Sequence, residues 1–534
     1  MKTTIKNLIL SAVLVVGGAS CVDLDTAPYD RETDLTYWEE DSEAAVKALN
    51  NCYTYLGNMD EQLYSEAMTD NAYTKQPNDF TQNIGNGSYS TADSYVKQVW
   101  DGRYTGIRMC NQLLENIDRV PDLDPELKKR YIGEAKVLRA YNYYELYTKF
   151  GDVPYTTKVL SIKESMSIAR TDRATVIANM LADLDEVING NYLPASYDAD
   201  NKGRITRWAA MAIKAKIYLF EGNWTQVKNI TSTIMTEGGF RLFGSYAGLF
   251  EIANEYNSEV ILDAQYRPTS REHQMMYAFL PPSLGGYSQL SPLQELVDSY
   301  IMLDGKTIRE TGTSFDESNP YANRDPRLKA TVMYTGNSYM LADGTEVVIN
   351  CEKGEGKDGY GVGSDCSATG YYIKKYWDNT YRATLYSGLN PILIRYADIL
   401  LMNAEALAEL GELDKTAWDA TIKPIRDRAG FTLASAVEFP EGASKDKLIE
   451  IVRNERRSEL ALEGHRHKDI IRWRIADDVL NGWCHGLKTN EVVGTDNGYV
   501  RVENRAFNAN KHYLWPIPQA ERDLNGNLVQ NPNW

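Results

Sequence analysis

Residues 206–220 set Ala209, Ala212, Ile213, Ile217 and Phe220 on one face, at the spacing of an amphipathic helix. The stretch closes on Glu221-Gly222-Asn223-Trp224, and a further helical run continues to Glu237. A helix, a glycine turn and a second helix in so short a span fold as an antiparallel pair, because the short link turns the chain back on itself. The same grammar recurs through the first half of the chain. Residues 41–56 have Asp41 or Ser42 as N-cap and Gly57 just past the end. Residues 95–119 form another helix. Pro125 stands near the start of a third, which ends at Phe150-Gly151, and residues 172–188 are a fourth.

These pairs, with small Ala residues where helices cross and Gly at the turns, resemble tetratricopeptide-type hairpins. No strict period of about 34 residues runs through the chain, so irregular hairpins with insertions are expected. From about Gly238 to Asn390, Gly, Asn, Ser, Tyr and Pro become frequent, and short β-like runs such as Glu259-Val260-Ile261-Leu262 and Glu346-Val347-Val348-Ile349 appear. Helices return at about Pro391, with Ile399, Met402, Ala406 and Leu410 on one face, and continue through 416–429 and 445–463. The last residues, 513–534, are Pro- and Asn-rich and irregular. The expected fold is mainly α, with helical hairpins forming a scaffold and a loop-rich insertion carrying short strands.

The N-terminus carries an address. Lys2 and Lys6 precede the apolar run Leu8-Ile9-Leu10-Ser11-Ala12-Val13-Leu14-Val15-Val16, which ends in Gly18-Ala19-Ser20. This is the pattern of a secretory signal peptide, and its apolar run is too short to span a bilayer core of roughly 30 Å. Cys21, directly after the small residues, points to a bacterial lipoprotein acylated on that cysteine. The alternative is an ordinary secreted protein cleaved near here. Expected boundaries are therefore a signal peptide at 1–20, a lipidated tether at 21–40 and a single domain at 41–534, divided into hairpins (41–237), a loop-rich ligand-side segment (238–390) and C-terminal helices with an irregular tail (391–534).

A net charge of −17 argues against nucleic acid as a partner and against adsorption onto anionic lipid head groups. The remaining cysteines, Cys52, Cys110, Cys351, Cys366 and Cys484, show no metal-type spacing. Cys351 and Cys366 flank a glycine-rich loop, where they either form one disulfide or stay as buried thiols. No cofactor and no metal is expected.

Motifs along the whole length resemble the SusD/RagB family of lipid-anchored nutrient-binding proteins. They begin with Cys21-Val22-Asp23-Leu24-Asp25-Thr26-Ala27-Pro28, Gly133-Glu134-Ala135-Lys136-Val137-Leu138-Arg139-Ala140-Tyr141 and Phe150-Gly151-Asp152-Val153-Pro154. Leu296-Val297-Asp298-Ser299-Tyr300, Asp304-Gly305-Lys306 and Asn323-Arg324-Asp325-Pro326-Arg327-Leu328 follow, then Ile394-Arg395-Tyr396-Ala397-Asp398-Ile399-Leu400-Leu401-Met402-Asn403-Ala404-Glu405-Ala406. The set ends with Glu455-Arg456-Arg457-Ser458-Glu459-Leu460, Glu463-Gly464-His465-Arg466, Asp469-Ile470-Ile471-Arg472-Trp473, Tyr513-Leu514-Trp515-Pro516-Ile517-Pro518 and Gln530-Asn531-Pro532. The resemblance implies a lipid-anchored protein on the outer face of an outer membrane. There it acts as a hinged lid over a SusC-like TonB-dependent transporter and captures an oligosaccharide, or alternatively a peptide, without catalysis.

In the tract 453–473, Arg456 falls on an inward helix face and needs a carboxylate partner, since an unpaired buried charge costs several kcal/mol. Glu459, Glu463 and Asp469 are the candidates, and structural ion pairs are expected there and at Arg324-Asp325-Pro326-Arg327, where Pro326 is expected to terminate a turn. His465 and His467 read as a surface pair rather than a metal site. Trp100 reads as a packing residue, and Tyr371, Tyr372, Tyr376 and Trp377 as a cluster that is core, rim or transporter contact.

Tyrosine is unusually abundant, with 36 Tyr against 11 Phe. Its flat apolar face and its hydroxyl suit sugar recognition, in which ring faces stack and hydroxyls demand polar partners. Two loops combine aromatics with polar neighbours, and the resemblance places ligand residues in the same two regions. The first supplies Asn71, Tyr73, Phe80 and Tyr89; the second supplies Gln274, Tyr277 and Tyr287. Packing of these aromatics onto the scaffold is the alternative. From other classes, a lipid-anchored glycan hydrolase with paired carboxylates and a structural surface protein are the rivals.

Overall fold

The computed structural model describes residues 33–75, 80–381 and 384–534. The signal segment, Cys21 and most of the expected tether lie outside them. Helices account for about 46% of the chain and the strands are short, which makes the fold mainly α.

The hairpin helices are α1 (Ala44–Tyr53), α2 (Ser94–Asn116), α3 (Pro125–Phe150), α4 (Arg173–Asn189), α5 (Arg207–Phe220) and α6 (Trp224–Glu237). α1 follows Glu43 without a side-chain cap, where Asp41 or Ser42 was expected to supply one; the others start where short polar side chains cap them. Asp93, Asp124, Asp172, Thr206 and Asn223 each accept a hydrogen bond from a first-turn amide of the helix that follows, satisfying donors that have no partner within the helix. Each helix packs on the next, and α6 hands the stack on to α7 (Tyr396–Leu410) and α8 (Lys445–Glu459). Gly106 shows how closely the layers approach. A Cβ there would lie 2.7 Å from the Cβ of Tyr55 and 2.9 Å from the Asn142 amide, so any larger residue would push α2 off its neighbours.

Several elements differ from expectation. Residues 392–395 are a strand, paired antiparallel with Val260–Asp263, and helix resumes only at Tyr396. The stretch 416–429 breaks at Thr421 into Lys415–Ala420 and Ile422–Ala429. Pro424 enforces the break, because it lacks an amide proton and is tolerated only in a first turn. Pro326 opens the helix Pro326–Thr331 instead of ending a turn. The helix expected to run to Glu463 stops at Glu459, and Leu462 takes a positive φ of 64°. Between the last expected helix and the irregular tail, in a stretch given no element from sequence, Asn481–Lys488, Thr495–Asp496 and Tyr499–Ala506 form a three-stranded antiparallel sheet. Its outer strand is mostly exposed at its start and carries two glycines, so alternation was invisible.

One apolar core lies among the hairpins, where Trp100 is buried. A second lies under the loop-rich segment, and it takes up much of the tyrosine excess: Tyr300, Tyr339, Tyr371, Tyr372 and Tyr376 are all interior. Cys351 and Cys366 are separate buried thiols, and the Cys366 thiol donates to the Lys357 carbonyl at 3.1 Å.

Alongside the apolar cores lies a lattice of buried charge. Arg395 pairs with Glu259 at 2.7 Å, Glu459 at 2.6 Å and Glu463 at 2.7 Å. Arg327 reaches Asp325 at 2.7 Å, Glu455 at 2.7 Å and Glu459 at 2.9 Å. Desolvation alone would raise the pKa of Glu459, but Arg428, Arg395 and Arg327 outweigh it and hold the carboxyl well below its ordinary range. Arg456 pairs with Asp469 at 2.8 Å, as expected, and with Asp398 at 2.5 Å; Glu459 and Glu463 serve other cations. Arg324 makes no such pair within its own motif, and donates to the carbonyls of Val297 and Tyr300 at 2.6 and 2.8 Å.

Candidate functional site: a tyrosine stack on the loop-rich face

The site is built by one tight turn and one bridge. After the short helix Met275–Phe279, residues Pro282–Leu284 make a single 3-10 turn that Gly285 ends at φ +87°. Gly286 then passes so close beneath Leu280 that an added Cβ would lie 2.1 Å from the Leu280 carbonyl oxygen. This crowded turn brings Tyr287 back over Tyr277. The Tyr287 amide donates to the Tyr277 carbonyl at 2.8 Å, and the rings stack with centroids 5.7 Å apart and planes 12° from parallel.

A third ring arrives from a distant stretch. His273 and Ser387 exchange both backbone hydrogen bonds at 2.9 Å, which fixes residues 384–387 beside the start of the helix. Tyr386 then meets Tyr277 edge-on, at 6.2 Å and 89°. The Tyr277 hydroxyl donates to the Thr384 carbonyl at 3.2 Å. Buried Met275, Met276, Phe279, Leu280, Leu284 and Leu385 form the floor. Above it Tyr287 is 46% exposed and Tyr386 39% exposed. Exposed aromatic rings held by backbone geometry over an apolar floor offer flat apolar faces with hydroxyls at their rims.

A cleft of about 500 Å³ lined by Tyr55, Tyr64, Tyr95, Asp60 and Gln98 lies nearby. The Tyr64 hydroxyl donates to the Gln289 side chain at 3.0 Å, two residues along from Tyr287, and so couples cleft and stack. Burial within the cleft raises the Asp60 pKa.

The other sequence-selected residues divide. Gln274 is exposed at the start of the stack's helix. Tyr73 is half-buried on the strand Ala72–Thr74, which pairs with Leu290–Pro292, and its hydroxyl accepts from the Gln82 amide at 3.2 Å. Phe80 begins the helix Phe80–Asn86, and its side chain lies outside the described residues, as do positions 76–79. Asn71 is interior and fully engaged: it donates to Glu66 at 2.8 Å and accepts from Arg457 at 2.9 Å. Tyr89 is packed against Trp534 at 4.8 Å and His512 at 5.1 Å. Burial therefore gives Asn71 and Tyr89 structural work, a correction to their expected place on the ligand surface. Tyr386 was missed, since only the His273–Ser387 bridge brings it to the stack.

His465 and His467 are half-buried rather than an open surface pair. They line a cavity of about 100 Å³ together with Glu145, Lys149, Lys216 and Lys468. Burial, reinforced by neighbouring lysines, pushes each imidazole down to about 3. Among the described residues no helix is long and apolar enough to cross a membrane.

Comparison with known proteins agrees with this architecture. Residues 249–534 match the signature of the SusD family, and residues 24–219 match a second one described as starch-binding and associating with the outer membrane. A SusD-like protein of Formosa agariphila is 27% identical, the similarity covering 99% of this chain and 98% of the relative. A SusD-like carbohydrate-binding protein of known structure from Bacteroides fragilis is 29% identical with a TM-score of 0.82, covering 92% of this chain and 100% of its own. A second SusD-like structure from the same species superposes with a TM-score of 0.81 at 26% identity, over 95% of this chain and 100% of the other. With more than half of its length matched by one signature and the whole fold shared, the chain belongs to the SusD family.

Proposed function

We propose that this protein is a non-catalytic, lipid-anchored, cell-surface protein that captures an oligosaccharide on Tyr277, Tyr287 and Tyr386 and passes it to a TonB-dependent outer-membrane transporter, over which it closes as a lid. The observation that carries the reading is the nearly parallel stack of exposed Tyr287 on half-buried Tyr277. Sugar rings present apolar C–H faces that lie against such a surface, while Gln274 and the tyrosine hydroxyls serve the sugar hydroxyls. The carbohydrate-binding description of the Bacteroides fragilis relative supports the ligand class. Cys21 is the proposed acylation site, and several acyl chains at about 0.8 kcal/mol per buried methylene make such attachment durable.

Titration of the purified protein with neutral oligosaccharides, followed by chromatography of the sugars, tests the reading. Saturable binding with the sugar recovered intact is expected. Shortened sugar products would replace it with the hydrolase reading, and binding confined to peptides would replace the ligand class. Co-purification of a β-barrel transporter from detergent-solubilised membranes checks the partner.

A further inference from the structure

A cleft of about 680 Å³ opens beside the C-terminal sheet, and none of its lining residues belongs to the tyrosine stack. Its volume falls in the range of small-molecule sites, about 300–1,000 Å³. Trp483 stands at its wall on the strand Asn481–Lys488, with 43% of its surface exposed. Tryptophan is highly buried on average, so an indole left open at the edge of a cleft marks a surface suited to an apolar face. The guanidinium of Arg501, from the paired strand, lies 5.4 Å from the indole centroid and restrains the ring.

The walls are tied together. His485 is two residues along from Trp483, so both side chains project from the same side of the strand. Its Nδ1 lies 2.7 Å from the Glu295 carboxylate and its Nε2 3.0 Å from that of Asp496. Both ring nitrogens thus face acceptors, an arrangement satisfied only by the doubly protonated imidazole. The clamp joins the sheet to the helix Gln294–Ser299, whose Asp298 also lines the cleft. Asn454, fixed by donating to the Ser299 carbonyl at 3.0 Å, adds an amide.

Such a cleft offers an aromatic plane, carboxylates and amides on a rigid frame. These are the groups that meet the C–H face and the vicinal hydroxyls of a sugar. Its charge decides between sugars. The lining acids Asp70, Glu295, Asp298, Asp478 and Asp496 meet four cations, each already paired: Arg309 with Asp298 at 2.9 Å, Arg457 with Asp70 at 3.0 Å, Arg505 with Glu503 at 3.2 Å, and His485 with Glu295 and Asp496. A sulfated or uronic sugar would have to compete with these carboxylates for its counter-charge, whereas a neutral sugar would not. We propose that the cleft beside Trp483 is a second saccharide site, separate from the tyrosine stack and selective for a neutral oligosaccharide; the ligand class rests on the glycan-binding reading above.

The test uses protein labelled with 5-fluorotryptophan, with the Trp483 resonance assigned through Trp483→Phe. It is titrated with hexasaccharides of glucose, mannose, galactose and xylose, and with a sulfated galactan oligosaccharide, in wild type and in Tyr287→Ala. The expected result is that at least one neutral sugar shifts the Trp483 resonance saturably, in both proteins, and that the sulfated sugar does not. A Trp483 resonance indifferent to every sugar, alongside binding that Tyr287→Ala abolishes, overturns the second site and leaves the first standing. A shift that disappears in Tyr287→Ala shows one continuous site and overturns the separation. Binding of the sulfated sugar at Trp483 overturns the selectivity, and no binding anywhere overturns both readings.

Discussion

Tyr287 donates its amide to the carbonyl of Tyr277 at 2.8 Å, and the same two residues stack their rings 12° from parallel. The backbone therefore sets the ring spacing before any ligand arrives, and the ordering cost falls on folding instead of on binding. Tyr287→Ala is expected to weaken oligosaccharide binding about tenfold, or about 1.4 kcal/mol. Its thermal midpoint should barely move, because the ring is half in solvent. Titration and scanning calorimetry read the two effects separately, and unchanged affinity would remove Tyr287 from the site.

Gly286→Ala acts on the same stack through the chain. The added methyl would lie 2.1 Å from the Leu280 carbonyl oxygen, so the turn must open. Loss of binding at least as large as for Tyr287→Ala is expected, with destabilisation of about 1–3 kcal/mol from overpacking. Urea unfolding measures the stability. Wild-type affinity in this variant would show that the stack does not depend on the turn.

The buried charges and the surface ones should respond very differently to truncation. Arg395→Ala takes away the buried cation shared by Glu259, Glu459 and Glu463, leaving them only Arg428, Arg327 and Lys375 as counter-charges. A cost of about 3–5 kcal/mol is expected, enough to unfold much of the population. Arg309→Ala breaks a pair whose arginine is 83% exposed and should cost under about 1 kcal/mol. Comparable losses in the two variants, measured by denaturant titration, would contradict this ordering.

Acid should destabilise the protein through buried His273 and half-buried His465 and His467. Burial holds His465 and His467 down to about 3 and His273 down to about 4. The unfolded chain protonates its histidines near pH 6.5. Between those values the unfolded state binds more protons, so stability rises with pH there and falls on acidification from about pH 6.5 toward pH 4. Thermal midpoints across that window should drop, and less so in the double variant His465→Gln/His467→Gln. An equal drop in both proteins would assign the acid lability elsewhere.

His485 has the opposite sign. Hydrogen bonding to Glu295 raises its pKa, against partial desolvation, and Asp496 adds to the effect. Its stabilisation is complete below about pH 6.5 and is lost as pH rises through the folded value. Hydrogen exchange in the sheet 481–506 should quicken relative to the helices above neutral pH, and His485→Gln should remove that dependence. Uniform exchange at all pH values would mean that the clamp does not hold the sheet.

Most of the helical scaffold was legible because its signals are local. Asp172, Thr206, Pro125 and Gly151 mark ends that the caps and turns realise within a residue or so. Tyr277 and Tyr287 could be selected by composition, and the glycines between them are what brings them together. Burial was not legible. Asn71 and Tyr89 sit in polar, turn-rich sequence yet face Glu66 and Trp534, partners supplied by tertiary packing. Tyr386 reaches the stack only through a bridge from Ser387 to His273, more than a hundred residues away in sequence. Arg456 announced its need for an acid, but Asp398, 58 residues away, gave no local sign of being one.

Arg395 joins segments that sequence keeps far apart: Glu259 lies 136 residues before it and Glu463 lies 68 after it. Shearing the loop-rich face past the helices would pull these charges apart in a medium without water to replace them. The consequence is mechanical. The tyrosine-bearing face and the helical stack are locked into one stiff plate, so under the lid function proposed above any closing stroke would carry the three tyrosines as a unit, with their spacing unaltered.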